Sequence, residues 1–357
     1  MLDIPMNSNS KLFDEFTQHL DIENIDRYEN LDTKHKKIVS AASDKILNNK
    51  NYFLKNLFSW EGQNDFYYPP QISLLHLKKL SILDLFKNII KILFFWHQIP
   101  LKNAFNDDLK ILERLNCLDL LNLNPIHLTP SRKDFYKYKN FTTNSRWNRY
   151  AYISSKIKEH KFLSKSSSHL DIGSYYGGLQ SFLKKIYTDT NYYMVDFNHQ
   201  LLRSYIFLKQ LFPESNHILL TNKKDELDLV SKKGSFVYVS IDNFNKLEQI
   251  NFDLVTNFFS LGEMKENDFN YYFQSKVFNN SKFIYLVNRF VSSPFFEKTY
   301  ENRLNIFDYI KKPNFRVQYF DIFPIGHYLN IKRQIFGKKK YRPLSSNHFE
   351  LILKNCE

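Results

Sequence analysis

Apolar positions between residues 11 and 125 recur at spacings of three and four, in Ile38, Val39, Ala42, Ile46 and Leu47 and again in Leu74, Leu77, Leu80, Leu83 and Leu85. That period predicts helices. Pro69, Pro70 and Pro100 break the region into at least three helical pieces. From Pro125 to Arg149 the pattern loosens, and Thr129-Pro130-Ser131 and Thr142-Thr143-Asn144 supply turn chemistry. A boundary near residue 140 divides a helical region, 1–140, from a region 141–357 in which strand and helix patterns alternate. There a helix is predicted at Arg146 to Ile157, a strand at His169 to Ile172, a helix at Leu179 to Ile186, a strand at Tyr192 to Val195 and a helix at Gln200 to Leu211. Ile218 to Leu220 and Phe236 to Ile241 compete for the third central strand. Strands at Phe252 to Phe258 and Phe283 to Val287 flank a helix at Asn267 to Phe278, and Val317 to Ile322 and Phe349 to Leu353 close the pattern. The fold class predicted is α/β, a Rossmann-like sheet with helices on both faces, preceded by an α-helical N-terminal region.

Composition narrows this picture. Of 357 residues 43% are hydrophobic, and 34 Phe and 23 Tyr exclude a disordered chain. Two cysteines, Cys117 and Cys356, build neither a disulfide framework nor a Cys-rich metal site. No Asp/His cluster has metal-ligand spacing, so a metal-independent reaction is expected. Lys87 and Lys91 interrupt the longest apolar candidate, Leu80 to Trp96, and the acidic start Met1-Leu2-Asp3 is unlike a secretion signal, so a cytoplasmic protein is expected. The net charge of +13 invites a polyanion partner. With only 8 Gly among abundant Lys, Asn, Ile, Phe and Tyr, compositional drift explains it as well, and no nucleic-acid partner is expected. Leu77 to Trp96 reads as a core helix with a solvated lysine side, or as a peripheral seat at the inner face of the membrane.

Because glycine is scarce, its placement carries information. Gly173, Gly177 and Gly178 fall together in Asp171-Ile172-Gly173-Ser174-Tyr175-Tyr176-Gly177-Gly178, between a predicted strand and a predicted helix. Such a turn lets a ligand lie on bare backbone at the carboxyl edge of a sheet. Asp171 and Tyr176 stand where a dinucleotide fingerprint needs glycine, and no Gly-Lys-Ser/Thr follows a glycine loop. S-adenosylmethionine is the ligand favoured: Asp171 would engage its ammonium, directly or through water, and Asp196, 23 residues after Gly173 at the next strand end, its ribose diol. Asp242 and Asn243, after the strand-like run Phe236 to Ile241, are candidates for the adenine edge, or for a turn.

The run His169 to Phe212, with Asp171-Ile172-Gly173-Ser174-Tyr175-Tyr176-Gly177-Gly178-Leu179 and Met194-Val195-Asp196-Phe197, resembles the sugar O-methyltransferases associated with bacterial surface polysaccharide synthesis. Asn257-Phe258-Phe259-Ser260-Leu261-Gly262-Glu263-Met264 is similar to that family's segment after the fourth strand, and Tyr285-Leu286-Val287-Asn288-Arg289 to its segment after the fifth. The likeness spans Ser145 to Pro294. It departs at Ser174 and Tyr175, where further small residues are usual, and at Phe197-Asn198, where the family has Leu-Pro. It implies a SAM-dependent O-methyltransferase acting on a sugar hydroxyl of a glycan or sugar precursor, working beside glycan-assembly enzymes. Tyr175, Gly177, Phe197 and Asn257 join the cofactor set.

Thr256-Asn257-Phe258-Phe259 lacks the prolines that amine methylases of bases carry, and neither cysteine lies in a motif, so oxygen is the expected acceptor atom. A sugar hydroxyl needs a positioned base. Glu263 is the first candidate, with His327, in Pro324-Ile325-Gly326-His327, and His199 as alternatives. A bland role for Glu263, favouring the dipole of the next helix, competes with the catalytic one. Ser260, Asn288 and Arg289 would bind substrate. Two other readings are an RNA or polyanion methyltransferase, motivated by the basic run Ile331 to Pro343, and a non-catalytic scaffold of the same fold.

Overall fold

The computed structural model describes residues 6–20, 49–55, 86, 98–123, 136–222, 224–226, 233–292, 303–325, 331–332, 340–341 and 348–356. The predicted helices around Ile38 and Leu74, the base candidate His327 and most of the basic run lie outside them.

Three helices are described in the N-terminal region: α1 (Met6–His19), α2 (Lys50–Lys55) and α3 (Gln98–Arg114). Around the predicted boundary a small antiparallel hairpin forms, β1 (Tyr136–Tyr138) with β2 (Phe141–Thr143), where the turn-rich sequence suggested only loops. Helix α4 (Ser145–Glu159) follows, its start fixed by Asn144, whose side chain accepts from the Trp147 N–H at 3.0 Å. Strand and helix then alternate: β3 (Ser168–Ile172), α5 (Gly178–Ile186), β4 (Asn191–Asp196), α6 (Asn198–Leu211), β5 (His217–Leu220), β6 (Phe236–Ser240) and β7 (Leu254–Phe258). The predicted helix over Asn267 to Phe278 divides into α7 (Glu266–Phe273) and α8 (Lys276–Asn279), because the Ser275 side chain accepts from the Phe278 N–H and starts a new turn. The chain continues with β8 (Phe283–Arg289), α9 (Ile306–Ile310), β9 (Phe315–Ile322), the two-residue pair β10 (Ile331–Lys332) and β11 (Lys340–Tyr341), and β12 (His348–Asn355).

Eight strands form one sheet in the order β5-β6-β4-β3-β7-β8-β12-β9. The strands from β5 to β8 are parallel, and β12 runs antiparallel between β8 and β9. Of the two competitors for third central strand, β6 sits beside β4 and β5 lies outside it. From β3 the chain builds first to one side (β4, β6, β5) and then to the other (β7, β8), which makes the carboxyl end of β3 a topological switch point, where open α/β sheets open a crevice.

Helices cover both faces, as expected of the Rossmann-like class. Tyr192, Met194, Phe236, Tyr238 and Tyr285 pack on one face with Trp147, Phe182 and Phe207. Their neighbours Tyr193, Val195, Val237, Val239 and Ile284 pack on the other with Phe269, Phe273 and Phe278. A fully buried strand shows runs of apolar residues rather than alternation, which is what β4 and β6 display. Phe13, Phe16, Phe53, Leu109 and Leu112 of the N-terminal helices bury themselves in the first cluster, and Phe16 meets Tyr205 of α6 with ring centroids 5.6 Å apart. Among the described residues no helix is long and apolar enough to cross a membrane, and no group of three or more His, Cys, Asp or Glu is placed to hold a metal.

Candidate functional site

The glycine-bearing segment leaves β3 in a left-handed turn at the switch point. Gly173 has φ +77°, and a Cβ there would stand 2.4 Å from Ser260 Oγ, so neither the angle nor the space admits a side chain. Its N–H donates to the Val195 carbonyl at 2.8 Å. Two residues on, Tyr175 also has positive φ, 55°, unusual for an aromatic, and its N–H donates to Asp196 Oδ2 at 2.7 Å. The Phe197 N–H donates to the other oxygen, Oδ1, at 2.8 Å. The loop after β3 and the acid ending β4 are therefore one unit, joined through the Asp196 carboxylate. Loss of surrounding water raises this carboxyl to about 7 against the lowering effect of its two N–H donors. Ser174 Oγ, enclosed within the loop, has no hydrogen-bond partner, a polar group that a ligand can satisfy.

Asp171 sits deeper than the sequence suggested. Thr256 donates to its Oδ1 at 2.7 Å and Gln180 to its Oδ2 at 2.6 Å, and burial raises the carboxyl to about 6. His169, whose Nε2 lies 2.9 Å from Thr256 Oγ1, extends this chain below the loop. Asp171 thus braces β3, β7 and α5, and direct engagement of a ligand ammonium is not what its geometry provides. Gly177, at φ +79°, is likewise a packing glycine: a Cβ would stand 2.7 Å from Leu208 Cδ1 of α6.

Of three asparagines expected at ligand, Asn257 and Asn288 are committed to the protein, while Asn243 is committed through its Nδ2 and its buried Oδ1 has no partner among the described residues. Asn257 is fully buried, donates to the Ile172 carbonyl at 2.7 Å and to Ser260 Oγ at 2.5 Å, and accepts from the Leu261 N–H and Asn288 Nδ2, each at 3.0 Å. Asn288, equally buried, accepts from the Gly262 N–H at 2.9 Å. Asn243 donates to the carbonyls of Leu220 and Asn222 and so ties the turn after β6 to the end of β5. Their amides hold loops in place, since a buried amide left without partners would cost roughly 1–3 kcal/mol. Asp242 and Phe197, by contrast, remain partly accessible at the carboxyl ends of β6 and β4.

Beyond β7 the chain repeats the device of the first loop. Phe259 has φ +69°, and its N–H donates to the Val287 carbonyl at 2.7 Å. Ser260 packs against Gly173, and a short turn, Leu261 to Glu263, delivers the Glu263 carboxylate to Arg289, whose Nη2 donates to Oε1 at 3.1 Å. Both side chains are about one third exposed. Burial raises the Glu263 carboxyl and Arg289 only partly offsets it. Glu263 lies three residues before α7, so its partner is a guanidinium and not that helix's N-terminus. His199 is buried in the first turn of α6 and held neutral, at about 3, by desolvation and then by Arg203, which does not suit a base at neutral pH.

Residues that carried no sequence motif complete the edge. Helix α4 crosses it with Arg146 Cζ 4.5 Å from the Tyr175 ring centroid and Arg149 Cζ 4.9 Å from that of Phe259. His348, opening β12, lies opposite Arg289 and meets the Phe259 ring edge-on at 5.0 Å. The spacing Arg146-x-x-Arg149 was visible, but nothing in it distinguished a site from an ordinary basic helix face. An open polar depression lined by Lys224, Asp225, Glu226 and Lys246 lies near the outer end of β5, apart from this edge.

No family model and no curated protein matches the chain. Among solved structures it is similar to the small RNA methyltransferase HEN1 (16% identity, TM-score 0.38), with 64% of this chain matched to only 27% of that one. It is similar also to the methyltransferase domain of a bacterial Hen1 (14%, TM-score 0.35, 59% of this chain and 100% of that one) and to coclaurine N-methyltransferase bound to N-methylheliamine and SAH (14%, TM-score 0.34, 62% of each). The strand order and its switch point are those of a Rossmann-like α/β sheet.

Proposed function

We propose that the chain is an S-adenosylmethionine-dependent O-methyltransferase whose acceptor is a sugar hydroxyl of a glycan or sugar precursor. One observation carries the cofactor half of this reading: the left-handed glycine loop at the switch point is hydrogen-bonded directly to the acid that ends the neighbouring strand. A nucleoside with a ribose diol fits that arrangement, the diol donating to Asp196 and the chain resting on the backbone at Gly173. Phe197 and Asp242 flank the place for the adenine. Arg146, over Tyr175, is positioned for a carboxylate at the other end of the ligand.

Bound there, the cofactor supplies a sulfonium methyl that needs only in-line approach of a nucleophile. The protein supplies the rest. Ser260 closes the floor between the two loops. Glu263, with its carboxyl raised by burial, takes the proton of the acceptor hydroxyl, and Arg289 fixes the orientation of that carboxylate. Phe259, with Arg149 over its ring and His348 and Phe323 packed at right angles to it, forms an apolar wall beside Glu263 on the acceptor side.

Calorimetric titration of the full chain with SAM tests the cofactor half, and a folded chain that binds none overturns it. Asp196→Ala should weaken binding by about 1–3 kcal/mol, the usual cost of an unmet polar partner. A screen of glycan and sugar-precursor acceptors with labelled SAM tests the other half.

A further inference from the structure

One end of the sheet is β9, whose outer side has no strand beside it among the described residues. Its eight residues, Phe315-Arg316-Val317-Gln318-Tyr319-Phe320-Asp321-Ile322, include neither the proline nor the lysine that commonly blunts an edge. Val317, Phe320 and Ile322 are 46%, 47% and 47% exposed. The pairing with β12 shifts at Gln318: Tyr319 lies opposite Ile352 but Val317 opposite Leu353, so one residue of β9 bulges. That extra residue sorts the side chains. Arg316, Tyr319 and Asp321 share the face of Ile352, while Val317, Phe320 and Ile322 share the face of Leu353, Leu351 and Phe349. In a regular strand Arg316 and Asp321, five apart, would point to opposite faces. Neither makes an ion pair among the described residues, and Asp321 accepts only from the Tyr319 hydroxyl at 3.3 Å and the Ile322 N–H at 2.7 Å. The Phe323 N–H donates inward to the His348 carbonyl, and the Asn314 carbonyl accepts inward from the Cys356 N–H. Strand alternation, stepped by the bulge, turns the backbone groups of Val317, Phe320 and Ile322 outward.

We propose that β9 pairs antiparallel with β9 of a second copy of this chain, about a two-fold axis between Gln318 and Tyr319, joining two sheets into one. In that register the outward backbone of Val317 meets that of Phe320 in the second copy, Arg316 lies opposite Asp321, and Phe315 lies opposite Ile322. Symmetry makes each pair occur twice. Opposite residues in a sheet must project to the same side, and the bulge is what satisfies this: Arg316 and Asp321 stand on one face, and the apolar residues on the other. Ion pairs then flank the axis on the first face while apolar side chains cover each other on the second. Copies of a chain with net charge +13 repel one another. β9, with one arginine and one aspartate, carries no net charge, and its two charges meet as opposites in this register, whereas a parallel pairing in register would set arginine beside arginine and a one-residue slip would put opposed side chains on different faces. This pairing is independent of the methyl-transfer reading.

Sedimentation of the full chain over a dilution series tests the pairing. Wild-type protein should be a dimer that dissociates on dilution. Arg316→Glu sets an acid opposite Asp321, and Asp321→Arg sets a second guanidinium opposite Arg316, twice in each dimer. Each variant should raise the dimer Kd roughly ten- to hundred-fold while circular dichroism shows it folded, since both positions are exposed. An equimolar mixture of the two variants should associate as tightly as wild type, because every opposed pair is again of opposite charge, and so should the double variant. Hydrogen exchange of the amides over Phe315–Ile322 should slow with rising concentration in wild type and not in either single variant. A monomer at every concentration, a dimer whose Kd neither single variant moves, or a mixture that associates no better than its components overturns the pairing. So does a monomer whose β9 amides are already protected, because another segment then covers the edge.

Discussion

The loops after β3 and β7 are built alike and end differently. Each leaves its strand through an aromatic residue in left-handed conformation, Tyr175 at φ 55° and Phe259 at φ 69°, under an arginine of α4. The first is hydrogen-bonded to a carboxylate from β4, Asp196, and the second carries its own, Glu263; the surroundings raise both. Beside the first loop the carboxylate, Asp196, accepts two backbone N–H groups, which hold it still, and the charge of Arg203 acts on it only as a minor effect. In the second, Glu263 is held by the side chain of Arg289. Backbone donors suit recognition, because they are rigid, whereas a guanidinium on a flexible stem permits a carboxylate to change partner and protonation state during a reaction.

The two acids should respond to substitution in opposite ways. Glu263→Gln preserves shape and should lower turnover by roughly 10²–10⁴-fold with SAM affinity nearly unchanged. A drop in thermal stability with normal turnover would make Glu263 a structural partner of Arg289 only. Asp196 should show the opposite division, loss of SAM affinity ahead of turnover at saturating cofactor.

A smaller effect follows from protonation. With the Asp196 carboxyl at about 7 in the free protein, the fraction ionised rises about ten-fold between pH 6 and pH 8, and SAM affinity should rise with it and then level off. Asp196→Asn should flatten that profile; a wild-type profile that is already flat removes Asp196 from the ribose. For the unliganded fold the sign is reversed. The native state holds this proton to higher pH than the unfolded chain, so the contribution is present below the ordinary value near 3.8 and is lost as pH rises through about 7.

The finest test addresses the strained aromatics. Replacing Tyr175 or Phe259 by Gly or by Ala removes the ring in both cases, but only Gly occupies φ near +60° without cost. The Gly variant should therefore be the more stable of each pair by about 1–2 kcal/mol in chemical denaturation. Equal stability at either position means that its backbone relaxes and that the two loops are not alike.

Much of the first loop was legible because its determinants are local: a glycine turn, the strand before it and the acid ending the next strand all fall within Ser168 to Asp196. Far less of the second loop was legible. Glu263 and Arg289 each stood in a motif, but their pairing arises from β7 and β8 lying side by side. His348 reaches the same edge only because β12 inserts antiparallel between β8 and β9. Asn257 and Asn288 read as ligand contacts because an asparagine at a strand end looks the same whether it faces a crevice or another asparagine. Burial and hydrogen-bond accounting decided between those, and both are properties of the packed chain.

The alternation of strands and helices, the place of the glycine turn and the type of acid that follows it are written locally in the chain, since periodicity and backbone freedom act over a few residues. Packing set which strands are neighbours, that Asp171 braces the sheet while Asp196 takes the N–H groups of the loops after β3 and β4, and that two arginines of one helix lie over two loops 84 residues apart in the chain. Long-range proximity is set by strand order and by the burial of two apolar faces at once, and no window of the sequence contains either.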